Sequence, residues 1–246
     1  MHPSSTDTRI LRIPGLEAES GMVHGFSTLA LGNMRGPTPG VGSLTPQRCA
    51  FAADLGFDPA RLTVLGAAHS ACVARVDTPV QAAVRNVDVL VTDRPDLPLL
   101  CTFADCYPVL LYDPVRRALA LAHAGWRGTA AGVATAAVEA LRREYGSRPA
   151  DLVAGVGPGI CWRCYEVGEE VAAGFDPRFA RPSPGANGSG RVLLDLAAAI
   201  CAQLETRGVP ADRIHLHGAC TRESPVLPSH RRSPDGVRFA CIAAIR

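Results

Sequence analysis

The chain has 246 residues, 47% of them hydrophobic and 20% charged, with 25 basic against 23 acidic side chains and a formal net charge of +2. That near balance, with aromatics at 5%, excludes the basic footprint and the stacking platforms of a nucleic-acid-binding protein. The length suffices to bury a core without staples, no apolar run reaches membrane-spanning length, and the first twenty residues lack the apolar segment of a secretory signal. The nine cysteines are therefore read as reduced thiols of a cytoplasmic protein.

Taken in order, the chain opens on an N-terminal segment (1–20) read as flexible. The Gly/Pro-rich stretch LGNMRGPTPGVGSLTP (31–46) predicts a loop. Thr45-Pro46 then places a helix N-cap before a proline at the first helical position, opening PQRCAFAADLG. RLTVLGAA (61–68) predicts a strand that delivers His69 at its end, and DVLVT (88–92) and 99–103 predict two more. Two apolar runs around Asp113-Pro114 predict a hairpin. After it, Thr129 is read as the cap of a helix through AAGVATAAVEALRREYG. A strand is expected at 151–156 and a helix over CWRCYEVGEEVAAGF (161–175), with a mobile loop across 175–192. Asp195 is expected to cap LAAAICAQLETRG, stopping at Gly208. Strands at 213–217 and 237–245 complete an α/β fold of mixed α+β topology, expected as a single domain over 1–246.

The hairpin carries the chemistry. With residues 113 and 116 flanking a two-residue turn, partner numbers sum to 229, which sets Cys106 directly opposite His123 with Cβ atoms roughly 5 Å apart. The hairpin is apolar on both faces, with Leu110 and Leu121 on the Cys/His side and Val109, Leu111, Ala118, Ala120 and Ala122 on the other. Such a sheet is covered on both sides. His69, at the end of its own apolar strand, completes a His₂Cys set. Three such ligands suit zinc with its fourth position left to water or substrate. A plain reading, in which a buried cysteine and two histidines are unrelated, stands beside it. So does a nucleophilic Cys106 activated by His123 with Asp105 near by. Copper also takes His₂Cys sets, but the axial Met is wanting, since only Met1, Met22 and Met34 exist and none adjoins these motifs.

Other motifs have bland readings. His215-x-His217 with Cys220 close by is read as a strand pair rather than a metal site. Cys161-x-x-Cys164 lacks a second pair and is read as buried thiols. Gly155-x-Gly157-Pro158-Gly159 lacks the spacing of a phosphate-binding fingerprint. Arg127, near a helix start, and Arg231-Arg232 are candidate anion contacts or solvated surface.

Together HGFST (24–28), DVLVT, CTFADCYPVLLYDP, ALAHAGWRGT, GVGPGICWRCYEVGEEV and CTRESPVLPSHRR resemble the YfiH/laccase-domain family, also called multicopper polyphenol oxidases or DUF152 proteins. The resemblance covers about residues 22 to 245. It implies a layered α/β/β/α core, one zinc on His69, Cys106 and His123, and purine nucleoside phosphorolysis. Adenosine, inosine, guanosine or methylthioadenosine would react with phosphate, and adenosine deamination would accompany it. Copper-dependent phenol oxidation and amide hydrolysis in editing of peptidoglycan precursors are the other activities it implies, and a non-catalytic ligand-binding member is a further alternative. Partners would be nucleoside and phosphate, with no nucleic acid or membrane, in a monomer or homodimer. Arg48 is the first candidate for holding phosphate, with Arg231, Arg127 and Ser27 of HGFST beside it, and Asp105 is assigned either proton transfer or orientation of His123. Several positions depart from the family pattern: Ala67-Ala68 and Ser70 around the first histidine, Phe103 in place of Thr, Leu29 in place of Arg, Gln47 in place of Asn, and His230 in place of Tyr. The resemblance therefore speaks more firmly for the metal ligands than for the substrate contacts.

Overall fold

A computed structural model describes residues 8–36, 44–80, 82–184 and 190–246. In chain order the strands are β1 (Ile10–Leu11), β2 (Met22–Ser27), β3 (Thr63–Gly66), β4 (Val73–Arg75), β5 (Val84–Arg85), β6 (Val89–Thr92), β7 (Leu99–Phe103), β8 (Tyr107–Asp113), β9 (Ala118–Ala124), β10 (Val153–Val156), β11 (Glu166–Gly168), β12 (Ala180–Pro182), β13 (Arg191–Leu194), β14 (Ile214–Leu216) and β15 (Phe239–Ile245). The α-helices are α1 (Pro14–Glu17), α2 (Pro46–Asp54), α3 (Trp126–Ala130), α4 (Val133–Tyr145), α5 (Glu169–Ala172) and α6 (Leu196–Thr206).

Two mixed six-stranded sheets form the centre, in the orders β1-β2-β15-β7-β3-β5 and β14-β10-β8-β9-β6-β4, and a small sheet β11-β13-β12 stands apart. Side-chain alternation explains the layering. In ALALA (118–122) the leucines face the other sheet, where Leu119 and Leu121 join Leu110, Tyr112, Phe26, Phe103 and Phe239. The alanines face outward, and their small size lets α4 press against β9 through Val138 and Leu141, with α6 packed on α4 and its Ile200 and Leu204 in the same core. On the far side, α2 lays Phe51, Ala52 and Leu55 over Leu100, Ala240, Ile242 and Ala244 of the first sheet. The order across the molecule is helix, sheet, sheet, helix, as the resemblance implies.

Two of the three predicted helix caps hold. The Thr45 side chain accepts from Arg48 N, and Asp195 accepts from Ala198 N. The hairpin register differs from expectation. Asp113 pairs with Ala118 and Pro108 with His123, so partner numbers sum to 231. The cause is a longer loop, in which Asp113 Oδ1 accepts from the N–H groups of Val115 and Arg116 and Arg117 closes the turn in the left-handed region at φ 51°. A shift of two keeps every side chain on its predicted face.

Four local expectations fail in whole or in part. Gly132, at φ 82°, divides the stretch after the hairpin into α3 and α4, and Thr129 lies inside α3 rather than capping it. The helix expected over 161–175 reduces to α5, because residues 166–168 pair with β13 instead. The loop expected over 175–192 contains β12 and the start of β13; residues 185–189 of it lie outside the described residues. Within 1–20, residues 10–17 form β1 and α1, with Leu16 fully buried; residues 1–7 are outside the described set, as are 37–43 of the predicted loop at 31–46.

Candidate metal centre

Cys106 sits one residue before β8, His123 near the end of β9, and His69 in the turn after β3. Their ligating atoms all lie within 4.8 Å of one another. One step past the Tyr107–Ala124 pair, the hairpin register brings Cys106 to Gly125. A Cβ at Gly125 would fall 2.8 Å from Cys106 Sγ and 3.1 Å from His69 Nδ1. The missing side chain leaves the room in which the three ligands converge.

A buried carboxylate organises the group. Asp88, at the head of β6 and 0% exposed, accepts from His123 Nδ1 at 3.0 Å. It also accepts from the N–H groups of Ala68, His69 and Ser70 and from the Ser70 hydroxyl. One side chain thus fixes the turn that carries His69 and the tautomer of His123, leaving His123 Nε2 for a ligand. Burial alone would raise the Asp88 pKa. Hydrogen bonds from His123 and Ser70 prevail and hold it well below the usual carboxylate range. Burial likewise works to lower the His123 pKa, but the Cys106 sulfur and Asp88 raise it to about 9. A metal at Nε2 would displace that proton. His69 is shifted down by burial, by His123 and by the nearby Arg127 and Arg238.

Backbone strain marks the same place. His69, at φ 60°, and Asp105, at φ 82°, are non-glycine residues in the left-handed region, where strain clusters at functional sites. The Phe103 ring stacks on the His123 imidazole at 5.3 Å and meets Phe239 at 5.5 Å. The Thr-to-Phe departure therefore seals one face of a ligand.

Of the other sequence candidates, Asp105 lies beside the group but does not orient His123, since Asp88 holds that position. Its carboxylate accepts from the Thr221 hydroxyl at 2.6 Å and from Arg231 N at 2.7 Å. Arg231 Nη1 donates to the Glu166 carbonyl, and its guanidinium lies over Tyr165. Arg127, within α3, stacks on Trp126. Arg48 is buried in α2, on the outer face of the first sheet, with Nε donating to the Met34 carbonyl. Ser27 is fully buried, and its hydroxyl accepts from Ala240 N between two strands. Arg232 spans the carbonyls of Thr221, Arg222, Ser224 and Leu227 and so acts as a loop brace. His215 packs over Gly15 and His217 against Phe26. Asp88, Gly125 and Arg238 were not singled out from the sequence. The signal for Asp88 was a carboxylate opening an otherwise apolar strand.

Two imidazoles and one cysteine sulfur form a borderline-soft, three-donor set with space for a further ligand. No fourth His, Cys, Asp or Glu joins them among the described residues. Met22 and Met34 belong to core clusters, so neither offers an axial thioether. Beside Arg231 opens a cavity of about 610 Å³ whose walls include Trp162, Glu166, Leu193 and Arg222, a size that suits a small-molecule ligand.

Residues 24–245 match the family described as multi-copper polyphenol oxidoreductase laccase. A Streptomyces coelicolor protein named a purine nucleoside phosphorylase is 43% identical over 219 residues, 87% of each chain. A protein from an unknown prokaryotic organism, named an adenosine deaminase, is 35% identical over 191 residues, 71% of each. Among solved structures, YlmD from Geobacillus stearothermophilus superposes with a TM-score of 0.86 at 28% identity, covering 99% of this chain and 98% of that one. The Bacillus licheniformis protein YfiH gives 0.83 at 27% identity, with both chains fully covered.

Proposed function

We propose, given that the chain belongs to the multi-copper polyphenol oxidoreductase laccase family, that it is a zinc-dependent purine nucleoside phosphorylase. The observation that carries this reading is the convergence of His69, Cys106 and His123 on one point, braced by Asp88, in a chain similar over most of its length to a protein named for that activity. The donor set favours zinc over copper because no methionine among the described residues completes a copper geometry.

Phosphorolysis joins a phosphate oxygen to C1′ of the sugar and breaks the C1′–N9 bond. The bonding pair leaves with the purine, which takes up a proton. When bound, the ion supplies a Lewis acid for an oxygen of phosphate or substrate. Arg127 and Arg238, both close enough to depress His69, and Arg231, held by Asp105, supply the positive charge that retains a phosphate dianion. They take the role that the resemblance gave first to Arg48. Asp105 has both carboxylate oxygens engaged, so it positions Thr221 and Arg231 rather than moving a proton. Burial raises the Tyr165 pKa to about 12, so its hydroxyl stays a donor near the arginines at neutral pH. Phe103 keeps water from one face of His123. The cavity beside Arg231 has room for a nucleoside, with Trp162 offering an aromatic wall.

Adenosine deamination is a second reading, favoured by the relative named an adenosine deaminase. In that reaction water adds at C6 and ammonia leaves, with no need for phosphate. Incubation with adenosine, with and without phosphate, separates the two. Phosphate-dependent release of adenine with an equal amount of pentose-1-phosphate supports phosphorolysis. Inosine and ammonia formed equally well without phosphate, with no free base, would replace it by deamination. Nine free thiols suit a reducing compartment, and we place the enzyme in the cytoplasm.

A further inference from the structure

We infer that the chain carries a second, closed zinc site built from Cys161, Cys164, Cys220 and Glu223. Their ligating atoms lie within 4.8 Å of one another, and none belongs to the His₂Cys group. The sequence shows only half of it. Cys161-x-x-Cys164 has no second pair in cysteine spacing, but Cys220-x-x-Glu223 repeats the interval with a carboxylate in the last place. Paired ligands two residues apart on separate turns are the usual frame of a structural zinc site.

The backbone is arranged for this. Residues 162–164 and 221–223 are both turns, and they are held together by the bridge between Gly159 and Cys220 and by the bond from Thr221 N to the Gly159 carbonyl. Cys161 N donates to Cys220 Sγ at 3.3 Å. N–H groups of Glu223 and Arg222 act on the same sulfur. Three N–H groups thus converge on Cys220 Sγ, as they do around metal-bound cysteine sulfurs.

Ligands about 2.0–2.3 Å from a tetrahedral zinc stand roughly 3.3–3.8 Å from each other. Cys164 Sγ and Glu223 Oε1 are already 3.4 Å apart. Three thiolates and a carboxylate leave a zinc complex with excess negative charge. Arg163 meets Glu223 at 3.3 Å, and the Arg222 side chain acts on Cys164. With four protein donors the site has no open position, so its role is a staple. It joins the turn before β11 to the turn that leads to Arg231 and Arg232. Through the Thr221 hydroxyl it also steadies Asp105, the neighbour of Cys106.

The test is a count of zinc per chain on the full-length protein, purified under reducing conditions with zinc supplied and then freed of loose metal. Two per chain are expected for the wild type. One should remain in Cys161→Ser/Cys164→Ser, and one in Cys106→Ala. Cobalt substitution distinguishes the two without relying on folding of the double variant. Thiolate-to-cobalt absorption in Cys106→Ala should be roughly threefold that of a one-thiolate site, because three sulfurs donate. Glu223→Gln, a surface change, should weaken one of the two ions at least tenfold. A single zinc in the wild type that vanishes with Cys106→Ala overturns the inference. So does a double variant that keeps both ions, or a Cys161–Cys164 disulfide in the freshly isolated reduced-buffer protein. None of these outcomes depends on turnover of any nucleoside.

Discussion

Asp88 concentrates the candidate metal centre's organisation in one side chain. It accepts from five donors on two segments, residues 68–70 and His123, and it is wholly buried. In Asp88→Asn the amide NH₂ would face N–H groups and could not accept from all of them. The loss of this outer contact is expected to weaken metal binding about 10–100-fold, measured by competition with a chelator of known affinity. Unchanged affinity would remove Asp88 from its organising role. Gly125 provides a cleaner probe. Its backbone, at φ −87° and ψ 173°, is open to any residue, so Gly125→Ala meets no conformational penalty. The added methyl would collide with Cys106 Sγ and crowd His69. At least a tenfold loss of metal affinity with little change in melting temperature is expected. Full retention of metal would show that the three ligands do not converge there.

At the scale of elements, His24 of β2 pins α1 to the first sheet. Its Nε2 accepts from Ile13 N, the residue that caps α1, and so must be unprotonated. Burial first, then Arg12 and His217, lower its pKa to about 4 from 6.5. The folded pKa lies below the unfolded one, so between the two values the unfolded chain binds more protons. Stability is then full above about pH 6.5 and falls as the pH drops toward 4. At about 1.4 kcal/mol per unit, this single group contributes up to about 3 kcal/mol of acid sensitivity. Denaturant unfolding at pH 7 and pH 4 should show wild type losing about that much more than His24→Gln. Parallel losses in the two proteins would contradict this assignment. The elements themselves were legible where the signal is local. Thr45 and Asp195 announced their helices, and alternation in 118–122 announced both faces of β9. What the sequence hid was non-local. Glu166–Gly168 sits in a helix-like stretch and becomes a strand because β13, some 25 residues on, supplies the partner. The hairpin register depended on Arg117 taking a left-handed conformation that its side chain does not advertise.

Across the whole molecule, the two sheets act as a press that brings distant segments to one point. His69, Cys106 and His123 leave three different strand ends of the sandwich, and a core of Phe26, Phe103, Leu110, Leu121 and Phe239 fixes the gap between the sheets. Leu121→Ala, in the middle of that layer, is expected to cost about 2–5 kcal/mol by denaturant titration; a cost below about 1 kcal/mol would mean that the layers are not held by this core. The ligand types were readable from the sequence because Cys106 and His123 flank one hairpin. Asp88 and Gly125 were not, since their roles exist only when β6 and β9 lie side by side. The arginines around the candidate centre were the least readable, because exposed arginines look alike in sequence. Arg48 is buried in α2 and Ser27 between two strands, whereas Arg238 lies near His69. No helix among the described residues is long and apolar enough to cross a membrane.

The most direct measurement is phosphate-dependent release of purine base from adenosine, inosine and guanosine, made on wild type and Cys106→Ala with the metal content of each sample determined in parallel. The wild type is expected to release base and pentose-1-phosphate in equal amounts, and Cys106→Ala to lose the ion of the His₂Cys group together with that activity. No base release at any phosphate concentration, or full turnover by a Cys106→Ala protein lacking that ion, would contradict a metal-dependent nucleoside phosphorylase.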